Sequence, residues 1–417
     1  MMSLGSLILI VSIFSIPFVF FIIPVYGQAD WYDDWVGTDS KNYEQRITNG
    51  FSVDEFVTGL AFPTTMSFVN DDILVLQKNN GFVLFVDKNG KLFPDPLLDL
   101  NVANMYENGA LGIISKDSNV YIYYTESDSD GQEPIANNIY KYKWSNNSLQ
   151  DPRLVKSLPA FPESLIHNGG IMVIDSKDTL YAVIGDQNMV NGGTILQNLF
   201  GSPNDTGVII PVESDDDYFA IGIRNSYGLT IDPITGNMWQ TENGPGSFDE
   251  INLVSPGFNS GWSAHTGPIS DARIDVIQLP DIFGIWKSYL QLSFAGIISS
   301  FHLDESYEYH DPKFSWKKTV APTGIAFSNL SFGEYGDWIF VGDCNNGNIY
   351  KFKLNLERNE LIFDNESLQD LVLNENDDNN EILFGQGFGC ITDIKFKDDK
   401  MYVVSLTDGI IYRISPI

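Results

Sequence analysis

The chain has 417 residues, with 55 acidic against 24 basic side chains and a formal net charge of −31 at pH 7. A surface that acidic repels phosphate backbones, which argues against a nucleic-acid partner and suits a chain that binds cations. At 43% hydrophobic and 13% aromatic the chain can bury a large core, and its two cysteines, Cys344 and Cys390, are too few for a disulfide-scaffold fold or a Cys-rich zinc or iron–sulfur centre.

Residues Leu7 to Ile23 form a nearly unbroken apolar run, followed by Pro24-Val25-Tyr26-Gly27. Val25 and Gly27 suit signal peptidase, so residues 1–27 are expected to be a signal peptide or a retained N-terminal anchor, cleavage being the favoured outcome. The first basic residue is Lys41, and the run is near the lower limit for a spanning helix. Export would make the sequons at Asn146, Asn204, Asn329 and Asn365 candidate glycan sites. Residues 28–55 read as a polar linker.

From about Phe56 onward the chain breaks into short apolar or alternating runs separated by Gly, Asn and Asp clusters, the pattern of many short strands. Six segments share one layout: a small residue, an apolar strand, a polar turn, a strongly β-prone strand, a Gly-containing turn and a third strand. They centre on Ile73–Leu76, Val120–Tyr124, Leu180–Ile184, Asn237–Thr241, Trp338–Val341 and Met401–Val404. One such unit is a small antiparallel sheet that cannot bury both faces alone. Six arranged radially bury them against each other, so the expected fold is all-β, a six-bladed β-propeller over residues 56–417. A sandwich or a parallel β-helix fits the repeat length of roughly 40 residues less well. The stretch 262–320 reads as a loop elaboration on the rim. In a propeller, loops of one face line a concave axial site.

The side chains at those loops carry the candidate chemistry. His167 stands in Leu165-Ile166-His167-Asn168-Gly169-Gly170, just before a strand, and Gly185-Asp186-Gln187 follows one strand out and back. Asp186 could therefore lie beneath His167 and fix its tautomer, as a general base requires; a loop histidine satisfied by backbone is the plainer alternative. His265, His302 and His310 lack metal-ligand spacing and read as surface residues. Arg224, also between strands, suits an anionic ligand, a polarised oxygen or a neighbouring carboxylate. Gly244-Pro245-Gly246 is a tight turn among acids whose carbonyls suit Ca²⁺, or a simple hairpin turn. Glu126 to Gly131 resembles half of an EF-hand loop but has Asn137 where the twelfth-position acid belongs, and 374–381 reads as a flexible acidic loop. The chain has no nucleophile elbow, P-loop or His-Glu-x-x-His.

Taken in order, His167-Asn168-Gly169-Gly170, Gly185-Asp186-Gln187, Arg224-Asn225 with Gly228-Leu229, and Glu242-Asn243-Gly244-Pro245 with Asp249-Glu250-Ile251-Asn252-Leu253 resemble the glucose/sorbosone dehydrogenase family, the soluble quinoprotein aldose dehydrogenases. The resemblance spans roughly Gly59 to Ser415. It implies a propeller that binds pyrroloquinoline quinone (PQQ) and Ca²⁺, takes a sugar as substrate and passes electrons to an external acceptor. By that resemblance His167 is the base, Asp186 orients it, and Arg224 stabilises charge on the quinone oxygen. Asn225 bonds the cofactor, the Gly244 and Pro245 carbonyls ligate Ca²⁺, and Glu107 stands where glucose-oxidising members have a Gln near cofactor and substrate.

Three cationic positions of that family are absent. The fifth-unit turn is Asp343-Cys344-Asn345-Asn346-Gly347 where members have a Lys, the sixth unit opens Gly389-Cys390-Ile391-Thr392-Asp393 without arginine, and Ile171 replaces an Arg. With both cysteines at those positions, an exported propeller could join them in a disulfide or keep two buried thiols. The expected function is an exported PQQ-dependent aldose dehydrogenase. The alternatives are a non-enzymatic Ca²⁺-binding propeller like the relatives of Hedgehog-interacting protein, and a hydrolase or lactonase propeller using Ca²⁺ and His167.

Overall fold

The computed structural model describes residues 44–187, 205–214, 216–262, 265–269 and 306–417. The leader at 1–27, His302, the Asn204 sequon and most of 262–320 lie outside those residues. No helix among the described residues is long and apolar enough to cross a membrane.

The fold is an all-β propeller. Among the described residues the strands assort into six sheets, each built mainly by up-and-down pairing of consecutive strands. The first holds Pro63–Val69, Asp72–Gln77, Phe82–Val86 and Leu92–Asp99. The second holds Ala110–Lys116, Asn119–Glu126, Ala136–Ser145 and Ser148–Leu158. The third begins with Met172–Ile174 and Leu180–Ile184, the fourth with Gly228–Ile231, Met238–Glu242 and Asp249–Val254. The fifth begins with Pro322–Phe327, Ile339–Asp343 and Ile349–Leu354, the sixth with Ile391–Lys397, Lys400–Ser405 and Ile410–Pro416.

The central strands have continuous apolar runs because both of their faces are covered. In Asp72–Gln77, Ile73 and Val75 pack into the cluster shared with the sixth sheet, while Leu74 and Leu76 pack into the cluster shared with the second. Side-chain alternation with period two sends successive residues to opposite faces, so one strand feeds two cores. Ile339 and Val341 face the fourth sheet and Phe340 faces the sixth by the same rule. Among the described residues six apolar clusters result, each between two neighbouring sheets, and the first strands touch one another in cyclic order, the sixth sheet's meeting the first's. These inner strands run close: a Cβ on Gly228 would sit 1.9 Å from the Thr323 carbonyl oxygen, so only glycine fits.

Two segments placed by sequence outside the repeats contribute strands. Phe51–Val57, within and just past the expected linker, pairs with Ile410–Pro416 and completes the sixth sheet from the other end of the chain, and Arg46–Ile47 joins the fifth. Within the expected rim elaboration, Phe314–Trp316 pairs with Asp249–Val254 on one side and Val372–Leu373 on the other, and its aromatic rings fill the core between the fourth and fifth sheets.

Candidate active site

In an antiparallel hairpin the start of the first strand lies beside the end of the second. Glu107, His167 and Arg224 precede first strands of the second, third and fourth sheets, while Asp186, Glu242 and the Gly244 turn follow or end second strands. All therefore emerge on one face of the propeller, near the axis where the first strands meet.

His167 is the centre of this group. Its Nδ1 lies 2.5 Å from Asp186 Oδ1, and both side chains are buried. An ionised carboxylate can only accept, so facing one, Nδ1 is the donor, and the neutral ring then has its lone pair on Nε2. Nε2 makes no hydrogen bond among the described residues. The backbone of His167 is left-handed at φ +64°, a conformation that costs a non-glycine residue energy and clusters at functional sites. Its own N–H donates to Glu107 Oε2 at 2.5 Å. Gly185 is required beneath it: an added Cβ would stand 2.6 Å from the carbonyl oxygens of both His167 and Arg224.

Arg224 is attached to the same network. Its carbonyl accepts from the Asp186 amide at 2.8 Å, its amide donates to Glu242 Oε1 at 2.6 Å, and its Nη1 donates to the Asn243 carbonyl at 2.8 Å. Its buried Nε has no hydrogen-bond partner among the described residues. Burial lowers the guanidinium from its ordinary range, and the charges of Asp186, Glu107, Glu242 and Asp249 work against that. Asn225 is half-buried; its carbonyl accepts from the Asn243 amide at 2.8 Å, and its side chain makes no hydrogen bond among the described residues.

The Gly244 turn is held from below. Asp249 accepts from the amides of Gly244 at 2.8 Å, Val320 at 2.6 Å and Ala321 at 2.8 Å, and burial nevertheless raises its carboxyl above the usual value. The Gly244 and Pro245 carbonyls accept no hydrogen bond among the described residues, and Pro245 is exposed. Among those residues no group of three or more His, Cys, Asp or Glu side chains is arranged to hold a metal ion, so a cation here would depend on backbone oxygens. Behind the turn, Glu242 and Glu250 are paired across adjacent strands and buried, and burial raises both.

The structure thus brings His167, Asp186, Glu107, Arg224, Asn225 and the Gly244–Pro245 turn into one connected site. It adds two residues that the sequence reading passed over. Lys78, at the end of the first sheet's second strand, is buried near Glu107, and burial lowers it to about 8. Its Nζ donates to Asn79 Oδ1 at 3.0 Å and to the Asn104 carbonyl at 3.2 Å. It occupies the strand-end position held by Glu242 in the fourth sheet, which is the signal that could have found it. The other is Trp262, whose Nε1 donates to Asp186 Oδ2 at 2.5 Å and whose ring lies 5.4 Å from the Arg224 guanidinium carbon. One surface assignment fails: His265 is half-buried, its ring edge-on to Tyr309 and its Nε2 buried, because the loop folds back over Gly261. His310 is exposed as expected. Cys344 and Cys390 form a disulfide between the fifth and sixth sheets on this same face.

The family model for glucose/sorbosone dehydrogenase matches residues 60–276, just over half of the chain. The chain belongs to this family. Among curated relatives, the chain is 23% identical over 316 residues to the aldose sugar dehydrogenase YliI of Escherichia coli K12, covering 71% of this chain and 78% of that one. It is 30% identical over 209 residues to quinoprotein glucose dehydrogenase B of Acinetobacter calcoaceticus, covering 40% and 42%. Among solved structures, the PQQ-bound aldose sugar dehydrogenase of Streptomyces coelicolor superposes with a TM-score of 0.61 at 21% identity, covering 89% of this chain and 99% of that one. At that identity the likeness bears on the propeller fold alone.

Proposed function

We propose that this chain is an exported six-bladed propeller that oxidises an aldose at its anomeric carbon. The observation that carries this reading is the 2.5 Å contact from His167 Nδ1 to the buried Asp186, which leaves Nε2 as a proton acceptor on the face where the other family residues converge.

The residues present suit the expected cofactors at one end. Two uncommitted carbonyls on a turn, with carboxylates behind, form an oxygen donor set suited to Ca²⁺. Beside them stands a guanidinium whose buried Nε has no partner among the described residues. PQQ, when bound, supplies a hydride acceptor whose carbonyl the Ca²⁺ polarises. The Gly244 and Pro245 carbonyls would hold the ion, while Arg224, Asn225 and Glu107 would hold the quinone. His167 Nε2 would take the proton of the anomeric hydroxyl, Asp186 would hold the imidazolium that results, and the fixed charge of Arg224 would favour negative charge in front of it.

The other end fits less well, and this favours a second reading. The family's cationic positions fall here at Ile171 and in the two turns joined by the Cys344–Cys390 disulfide, so a tricarboxylate would meet few compensating charges there. A Ca²⁺-binding propeller without the quinone is consistent with that exchange. Reconstitution with Ca²⁺ and PQQ, followed by dye reduction over a panel of aldoses, separates the two. Retained quinone absorbance with turnover that His167→Ala abolishes supports the dehydrogenase. Calcium binding with no quinone retained and no turnover sinks it.

A further inference from the structure

The geometry points to Trp262 as the positioning residue of this site, an indole that clamps the acid behind the base and keeps it apart from Arg224. The inference deepens the dehydrogenase reading and rests on it for its catalytic meaning, but not for its geometry.

Asp186 has both oxygens engaged, Oδ1 with His167 Nδ1 and Oδ2 with Trp262 Nε1, each at 2.5 Å. A carboxylate held at both oxygens cannot rotate about its last bond, so the imidazole it faces is held in one orientation and one tautomer. The same indole presents its face to Arg224, with the guanidinium carbon 5.4 Å from the ring centre. Asp186 is the foremost of the negative charges acting on Arg224, yet Arg224 makes no ion pair among the described residues and donates to the Asn243 carbonyl instead. Acid at the edge and cation over the face is an arrangement that keeps opposite charges close without letting them pair. Were they to pair, the base would lose its orienting acid and the guanidinium its free edge.

The indole itself is anchored by backbone. Trp262 N–H donates to the Gly222 carbonyl at 3.1 Å, two residues before Arg224. The Ser260 amide donates to the Ile221 carbonyl at 3.1 Å, and Phe258–Asn259 runs parallel to Ala220–Ile221. Gly261, at φ +95°, packs under the Tyr309 ring so tightly that a Cβ would lie 2.9 Å from it. The clamp and the guanidinium are therefore carried by two adjoining strands of one sheet region and keep their spacing.

The test uses the full chain without cofactor, labelled with ¹⁵N-histidine. With four histidines in the sequence, His167→Ala assigns the His167 ring signals. In the parent protein Nδ1 reads as the protonated nitrogen of the neutral ring. In Trp262→Phe, which keeps the aromatic face and loses the N–H, the ratio of Nδ1–H to Nε2–H falls about tenfold, the worth of one charge-assisted hydrogen bond. In Trp262→Ala it falls further, because Asp186 can then reach Arg224. Thermal melts are the control that Trp262→Phe stays folded. In quinone-loaded enzyme the same variant lowers kcat roughly ten- to a hundredfold with KM for the sugar unchanged. Unchanged ring signals in Trp262→Phe overturn the inference whatever the activity. Shifted signals with no sugar oxidation in the parent protein leave the clamp standing and remove the dehydrogenase.

Discussion

A neutral imidazole accepts a proton only at the nitrogen that lacks one, and at His167 the choice is made by Asp186. Asp186→Asn would place an amide N–H against Nδ1, force the proton to Nε2, and leave a folded site with no base. Turnover in dye reduction is expected to fall roughly 10²- to 10⁴-fold, as in His167→Ala, with quinone retention unchanged. Equal turnover in the Asn variant and the parent would remove His167 from the chemistry. Glu250 supports a different expectation. Burial pushes its carboxyl up to about 8, from a usual 4.5. The folded chain then holds a proton that the unfolded chain releases, so the stabilising neutral form is intact below about 4.5 and stability declines as pH rises through about 8. Glu250→Gln, which keeps an acceptor for the Gly267 amide, should make that decline shallower by about one proton, or ~1.4 kcal/mol per pH unit, in denaturant melts between pH 5 and 8. A slope identical to the parent's would show that Glu250 is ionised throughout. At this scale the sequence revealed residues whose place follows from strand order, such as His167 and Asp186, one hairpin apart. Trp262 was hidden because its link to Asp186 crosses between separate strands, and no local period encodes that distance. Lys78 was hidden because a lysine at a strand end looks solvated until the loop of Asn104 closes over it.

The strands themselves were largely legible, since runs such as Ile73–Leu76 and Val120–Tyr124 have the continuous apolarity of strands covered on both faces. Phe51–Val57 was not: its exposed positions break the pattern, and its partner strand ends more than 350 residues later. Turns between strands carry their own cross-sheet locks. Arg358, itself left-handed at φ +57°, grips Asp232 with Nε at 2.7 Å and Nη2 at 3.0 Å and reaches Asp337 with Nη1 at 2.6 Å. Asp232 is fully buried and belongs to a fourth-sheet turn, whereas Arg358 belongs to the fifth sheet. Removing one member leaves a buried charge without compensation, which outweighs any surface ion pair. Arg358→Ala should lower unfolding free energy by about 3–5 kcal/mol with the denaturant slope unchanged, while Arg413→Ala, whose partner Asp54 is exposed, should cost under about 1 kcal/mol. Similar losses in both would mean that the turn relaxes around Asp232.

At the scale of the whole molecule a ring of sheets is as stable as its weakest seam. The sixth sheet is the seam where the two ends of the described chain meet, with Phe51–Val57 as its outer strand, and its neighbour on the fifth side is stitched by Cys344–Cys390. That bond closes a loop with a sequence separation of 46, for which chain entropy gives about 4 kcal/mol of stabilisation. It also bears on the site through a short path. The Cys344 amide donates to the Ala321 carbonyl at 3.0 Å, the Ala321 amide donates to Asp249 at 2.8 Å, and Asp249 accepts from the Gly244 amide at 2.8 Å. Loosening the disulfide therefore loosens the turn whose carbonyls would hold Ca²⁺. Cys344→Ser with Cys390→Ser should lower the unfolding free energy by roughly 2–4 kcal/mol and weaken Ca²⁺ binding by calorimetry, whereas Arg358→Ala, of comparable cost but remote from Asp249, should leave Ca²⁺ affinity unchanged in the folded protein. Equal calcium affinity in the cysteine variant and the parent would confine the disulfide to holding the ring closed.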